Sequence, residues 1–125
     1  MVRGLGIDLV ELDRIRASHA RFGERFVKRI LTKREAVRLE GRSDPAPYLA
    51  ALFAGKEAAV KALGTGFAQG VTLHNVEILH LPSGKPELHL SGRALEVAKA
   101  LGVSSMHVSL THARDTAGAV VVLEG

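Results

Sequence analysis

Cysteine and tryptophan are both absent from the 125 residues. Without Cys there is no disulfide, no thiolate nucleophile and no Cys-ligated zinc. A reducing cytoplasm fits that composition. Aromatic residues make up 4% of the chain, four Phe and one Tyr, so Leu, Val, Ile and Ala must build the core. No apolar run approaches the roughly 18 residues that span a bilayer. The opening Met1-Val2-Arg3-Gly4-Leu5-Gly6-Ile7-Asp8 meets a carboxylate too early for a secretory signal. There is no linker, repeat or low-complexity segment, so residues 1–125 are expected to form one domain.

Charge is abundant and uneven. The formal net charge is +4 and the isoelectric point about 9.9. Ten of the seventeen Lys and Arg fall between Arg14 and Arg42. A basic N-terminal third implies an anionic partner, which includes nucleic acid, a membrane surface, a polyphosphate or an acidic protein.

The pattern alternates between helix and strand. Residues 4–10 read as a short buried strand whose one charge is Asp8. Residues 11–17 turn into a helix, and 18–31 carry Phe22, Phe26, Val27 and Ile30 on one helical stripe. Thr32 and Glu35 form a capping box for a helix ending near Gly41. Asp44 and Pro45 read as N-cap and first position of a long helix over 45–63, closed by Gly64. Residues 71–81 and 87–90 predict strands around a turn at Pro82-Ser83-Gly84-Lys85-Pro86. Ser91 starts a helix through Leu101, and 106–111 and 119–123 read as final strands. The class is α+β.

Few residues carry chemistry on their own. Asp8, in an apolar strand, needs a cation, a cap or a metal to offset its desolvation. Glu57 and Lys61 lie four apart on the long helix and so share a face, which also suits a plain surface ion pair. Very small residues surround them (Ala54, Gly55, Ala58, Ala59, Ala62), which lets a backbone or a ligand approach closely. Gly64-Thr65-Gly66 follows at once; its amides suit a phosphate, or simply end the helix. Val108 to Asp115 ends a strand in hydroxyls, a His and an Arg. Ser109 and His112 fall on opposite faces of an extended strand, and no nucleophile elbow is present, which excludes a Ser-His-Asp triad. The remaining histidines have no metal-ligand spacing and read as surface or strand-edge residues.

Three segments occur together in one family. Gly6-Ile7-Asp8-Leu9-Val10-Glu11-Leu12-Asp13-Arg14-Ile15, then Phe53 through Gly66 around Lys56-Glu57-Ala58-Ala59-Val60-Lys61, then His107-Val108-Ser109-Leu110-Thr111-His112 resemble the holo-acyl-carrier-protein synthases. These are the short phosphopantetheinyl transferases of bacteria. Arg29-Ile30-Leu31-Thr32 and Gly84-Lys85-Pro86 match the same pattern in the same order.

The resemblance implies a small antiparallel sheet packed against a long helix, in a trimer with active sites between subunits. It implies transfer of 4′-phosphopantetheine from coenzyme A to a serine of apo acyl carrier protein, releasing 3′,5′-ADP, in support of fatty acid biosynthesis. Asp8 and Glu57 would hold Mg²⁺ (or Mn²⁺), and Lys61 would lie beside the phosphates. Gly64, Thr65, Gly66, Lys85 and Pro86 would line the nucleotide, with Ser109 and His112 reaching it from another subunit. The basic helix beginning at Arg14 would dock the acidic carrier protein. Arg14, Arg21, Arg25 and Lys28, spaced by seven, four and three, read as one cationic face for it. One departure stands out: Leu52 occupies a position where the family usually has Arg, with Arg42 or Lys56 as the candidates to compensate. The serine proton acceptor stays open between Asp8, Glu57 and water. The rival readings are a nucleic-acid-binding domain and a coenzyme A binder without activity.

Overall fold

A computed structural model describes residues 1–125. In chain order the elements are β1 (Val2–Glu11), α1 (Leu12–Phe22), α2 (Glu24–Ile30), α3 (Lys33–Ala36), a 3-10 turn (Val37–Leu39), α4 (Ala46–Leu63), a second 3-10 turn (Leu73–Asn75), β2 (Val76–His80), β3 (Pro86–Leu90), α5 (Gly92–Ala100), β4 (Ser105–His112) and β5 (Thr116–Glu124). One sheet has the antiparallel order β1-β5-β4, and β2 pairs with β3 in a separate hairpin.

The axis of the molecule is α4. Fourteen of its eighteen residues are buried, so it is the centre of the core rather than an amphipathic helix with one apolar face. Its alanines explain how the sheet comes so close. A Cβ on Gly4 or Gly6 would overlap the carbonyl oxygens of Ala62 and Ala58 respectively. The small stripe around Glu57 is therefore filled by the backbone of β1. On the far side, Gly55 makes room for Ile78 of β2 and Leu110 of β4.

Strand β1 corrects the expectation of a buried strand. Its glycines and Asp8 face α4, and alternation then turns the large residues outward. Leu5, Ile7 and Leu9 are 63%, 66% and 72% exposed.

Local signals place the remaining boundaries. The expected helix over 18–31 is broken at Gly23, whose φ of 57° leaves the helical region. The capping box is present: Thr32 Oγ1 accepts from Glu35 N–H, and Glu35 Oε1 accepts from Thr32 N–H at 2.8 Å. The helix it starts is shorter than expected and tightens into the first 3-10 turn. Asp44 Oδ1 accepts from Ala46 N–H at 3.2 Å and its Oδ2 accepts from Arg16 at 2.8 Å. The cap position of α4 is Pro45 rather than the expected Asp44, and the Asp44 carboxylate, just before it, ties the start of α4 to α1. Gly64 closes α4 in the left-handed region at φ 82°. Strand β2 begins five residues later than expected, because Thr72 N–H donates to Asn75 Oδ1 and closes a turn.

The chain ends meet. The Met1 ammonium donates to Gly125 O at 2.8 Å, and Gly125 N–H donates to Met1 O at 3.0 Å. No helix is long and apolar enough to cross a membrane.

Candidate active site

Strand β1 and helix α4 bring Asp8, Glu57 and Lys61 into one groove, which α1 walls with Arg14, Ile15 and Ser18. Phe26 and Phe53 form its apolar side. The groove holds about 420 Å³, enough for part of a nucleotide-sized ligand. It continues into a second cleft through the shared residues Ser18, Phe26, Phe53 and Glu57. That cleft adds Phe22, Arg25, Arg29 and Phe67. All four phenylalanines of the chain thus line one channel, with Glu57 at its junction.

The Glu57–Lys61 pair suggested by their spacing is not made. Lys61 Nζ instead crosses to β1, donating to Asp8 Oδ1 at 2.9 Å and to Ile7 O at 3.0 Å. Asp8 is mostly covered, with its side chain 16% exposed. Glu57 forms no ion pair. Burial pushes its carboxyl above the usual glutamate range, the charge of Asp8 pushes further, and Lys61 pulls part of the way back.

Two carboxylates therefore share the groove, where Lys61 pairs with Asp8 and no side chain pairs with Glu57. Such a site fits a hard divalent ion, which accepts one or two carboxylates and completes its shell with water and phosphate oxygens. No cluster of three or more acidic or His ligands exists that would form a cage on its own.

The other candidates lie elsewhere. The amides of Gly64, Thr65 and Gly66 are occupied: the first bonds Lys61 O, and the other two bond Val60 O at 3.2 Å. The glycine turn therefore closes α4, and its backbone offers no free cradle. Lys85 is exposed in the β2–β3 turn, with Pro86 opening β3. Ser109 lies on the exposed sheet face, across β5 from Ile7 through Val120. His112 lines a separate basic pocket with Arg38, Arg42, Tyr48 and His80. Within one chain this pocket and the Asp8 groove share no residue. His80 is neither a plain surface nor a free edge residue: its Nδ1 is buried without a partner. Burial, followed by Arg38 and Arg42, lowers its pKa.

The cationic residues fall on two helices rather than one. The break at Gly23 separates Arg14 and Arg21 on α1 from Arg25 and Lys28 on α2. Arg14, Arg25 and Arg29 line the channel, whereas Arg21 stacks over Phe22 and Lys28 borders a different cleft beside His74.

Neither proposed stand-in for the arginine at position 52 is equal to the other. Leu52 is fully buried, and so is Lys56. Lys56 Nζ donates to Ile30 O at 2.6 Å, Glu35 Oε1 at 2.7 Å and Leu73 O at 3.2 Å. All three of its protons are used, which removes it as a phosphate contact. Glu35 Oε2 accepts from Ile78 N–H at 2.7 Å, and Tyr48 donates to Glu35 O. Burial lowers the Lys56 pKa, and Glu35 opposes that shift. The Tyr48 hydroxyl is pushed up to about 12 by burial and by Glu35. Sequence reading missed this buried pair. The signal was there: Lys56 sits on the helix face of Leu52, Ala59 and Val60, where a charge has no water to point into.

Residues 4–121 match the family model described as the 4′-phosphopantetheinyl transferase superfamily, and the chain belongs to that superfamily. Its relatives within it are holo-(acyl-carrier-protein) synthases. The synthase of Solidesulfovibrio magneticus is 61% identical over 125 residues, covering 100% of both chains. The crystal structure of the Neisseria meningitidis synthase superposes with a TM-score of 0.89 at 40% identity, again covering 100% of each chain. The Helicobacter pylori synthase, solved in complex with coenzyme A, gives 0.84 at 31% identity over 96% of this chain and 99% of that one. The resemblance read from the motifs is borne out, as is the mixed fold of a small antiparallel sheet on a long helix. The nucleic-acid reading is not favoured.

Proposed function

We propose that the chain transfers the 4′-phosphopantetheine arm of coenzyme A to a serine hydroxyl of an apo acyl carrier protein. The observation that carries this reading is the meeting of Asp8, Glu57 and Lys61 in one groove, in a chain whose relatives are named for the reaction. The complex of the H. pylori relative with coenzyme A supports the donor.

The serine oxygen attacks the β-phosphate of coenzyme A. A bond forms to phosphorus, the bond to the bridging oxygen breaks, and 3′,5′-ADP leaves. The serine proton passes to water, since carboxylates engaged with a metal are poor bases. Such transfers depend on alignment and charge neutralisation more than on covalent chemistry by the protein. Asp8 and Glu57 would hold Mg²⁺ or Mn²⁺, which when bound supplies positive charge to the pyrophosphate. Lys61, already anchored by Ile7 O and Asp8, stands ready to meet charge developing on the leaving oxygen.

The second half of the nucleotide is read across subunits. The exposed Leu5, Ile7 and Leu9 supply an apolar face for a homotrimer. Arg38, Arg42 and His112 of one subunit, with Ser109 on the same sheet face as Ile7, would then meet nucleotide held by the Asp8 groove of the next. Gly64-Thr65-Gly66 and Lys85-Pro86 would line it by side chain and shape. Arg42 is the available substitute for the arginine that Leu52 replaces. Arg14, Arg25 and Arg29 form the part of the cationic surface nearest the groove, with Arg21 and Lys28 further out, and an acidic carrier protein is its natural partner. A chain with no cysteine suits the reducing cytoplasm in which this reading sets the reaction.

Mass spectrometry of an apo carrier protein incubated with the chain, coenzyme A and Mg²⁺ tests the reading. The expected result is a gain of one phosphopantetheine on serine; an unchanged mass overturns it.

A further inference from the structure

We propose that Lys56, with its buried partner Glu35, is a positioning residue that fixes the walls of the channel against Glu57; this rests on the transferase reading above. Its ammonium is fully buried in α4 and makes three bonds, each to a different element. Ile30 O is the last carbonyl of α2, where the helix dipole concentrates negative charge. Leu73 O belongs to the 3-10 turn before β2, and Glu35 to α3. Ile30 and Leu73 themselves line the cleft that holds Arg25, Arg29 and Phe67.

One side chain thus ties two channel walls to the helix carrying Glu57. Glu57 is the next residue, and helical geometry turns it about 100° away, into the channel. No other bond from α4 reaches both walls. The pair Glu35–Lys56 is completed by Thr32 N–H and Ile78 N–H on the carboxylate. Every polar atom is satisfied, so the node behaves as a rigid spacer between the basic α2 surface and the reacting groups. Carrier protein docked on α2 would be held at a set distance from coenzyme A.

A pair of variants separates positioning from stability. Lys56→Met leaves Glu35 buried without its cation and should lower the melting temperature strongly. Adding Glu35→Gln removes that unpaired charge and should recover part of the loss, since one of the Thr32 and Ile78 N–H donors then faces the Gln amide group, while the ties to Ile30 O and Leu73 O stay broken. The double variant is expected to turn over about tenfold or more slowly, because small misplacements near reacting atoms are costly, with coenzyme A affinity within about twofold of the parent. Amide exchange should accelerate at residues 24–30 and 73–75 and not in β5. Recovery of kcat together with melting temperature would overturn the inference, as would unchanged exchange in those two segments.

If the double variant does not fold, Lys56→Gln assayed well below its melting transition gives the same reading. Parent-like kcat there refutes positioning, and a depressed kcat with normal coenzyme A affinity supports it. Failure of the unmodified chain to modify any carrier protein would instead refute the transferase reading, and the exchange comparison would still decide the role of Lys56.

Discussion

The carbonyl oxygen of Ala58 occupies the space that a Cβ on Gly6 would need. Together with the matching contact of Gly4 on Ala62 O, this contact sets how near β1 approaches α4, and Asp8 is two residues beyond Gly6 along the strand on the same face. Gly6→Ala should push the strand outward. We expect a destabilisation of about 1–3 kcal/mol from overpacking, seen as a lower melting temperature. Transfer activity should fall more than the folded fraction does, because Asp8 moves with the strand. A variant that melts and turns over like the parent would show that the close packing is dispensable.

Glu57 leads to a pH dependence. Its carboxyl titrates above the ordinary range because of burial, then Asp8. A divalent cation binds the ionised form and so competes with the proton. Affinity for Mg²⁺ should therefore rise with pH through the raised pKa, level off above it, and fall on the acid side sooner than for an ordinary glutamate. Calorimetry in two buffers of different ionisation enthalpy should register proton release on binding. Glu57→Gln should lose both the binding and the proton, and abolish transfer with the fold intact. Near-normal turnover in that variant would remove the metal assignment.

Arg14 and Arg21 lie on α1, but only Arg14 lines the groove, while Arg21 lies over Phe22. Arg14→Glu should raise the carrier-protein KM more than Arg21→Glu does. Both effects should shrink as salt rises, because long-range attraction is screened within about 8 Å at physiological ionic strength. Steady-state assays at two salt concentrations would check the ranking, and an equal loss of coenzyme A affinity would argue against a docking role.

The outward apolar face of β1 should be what holds subunits together. Leu5→Asp places a charge there, on the sheet face opposite Asp8. Light scattering should show a smaller particle than for the parent, together with loss of transfer if the nucleotide is shared between subunits. A parent-sized, fully active particle would mean that assembly uses another surface.

How much of this was legible in the sequence depends on whether a signal was local. The capping box at Thr32 and Glu35 and the stop at Gly64 were legible because short-range hydrogen bonds decide them. The outward face of β1 was not. Gly4 and Gly6 look permissive in sequence, and only the nearby carbonyls of Ala58 and Ala62 show why small residues must face the helix. Asp8, Glu57 and Lys61 are found together through the motifs, but the bond between Lys61 and Asp8 is not legible there. The i,i+4 rule favours Glu57 with Lys61, whereas a strand carboxylate and carbonyl beside α4 offer Lys61 two acceptors at once. Lys56 and Glu35 are 21 positions apart, and no local rule joins them.

The reciprocal bonds between Met1 and Gly125 make the backbone almost a closed ring. Sequence order is then a matter of where that ring happens to be cut. Joining the ends through a few flexible residues and reopening the exposed turn at Ser83 should yield a circular permutant that still builds the same sheet and groove. The present ends lie beside the start of β1, where Val2 is six residues along the strand from Asp8, and the end of the central strand β5, so a fused partner domain could enter at either position without crossing the channel.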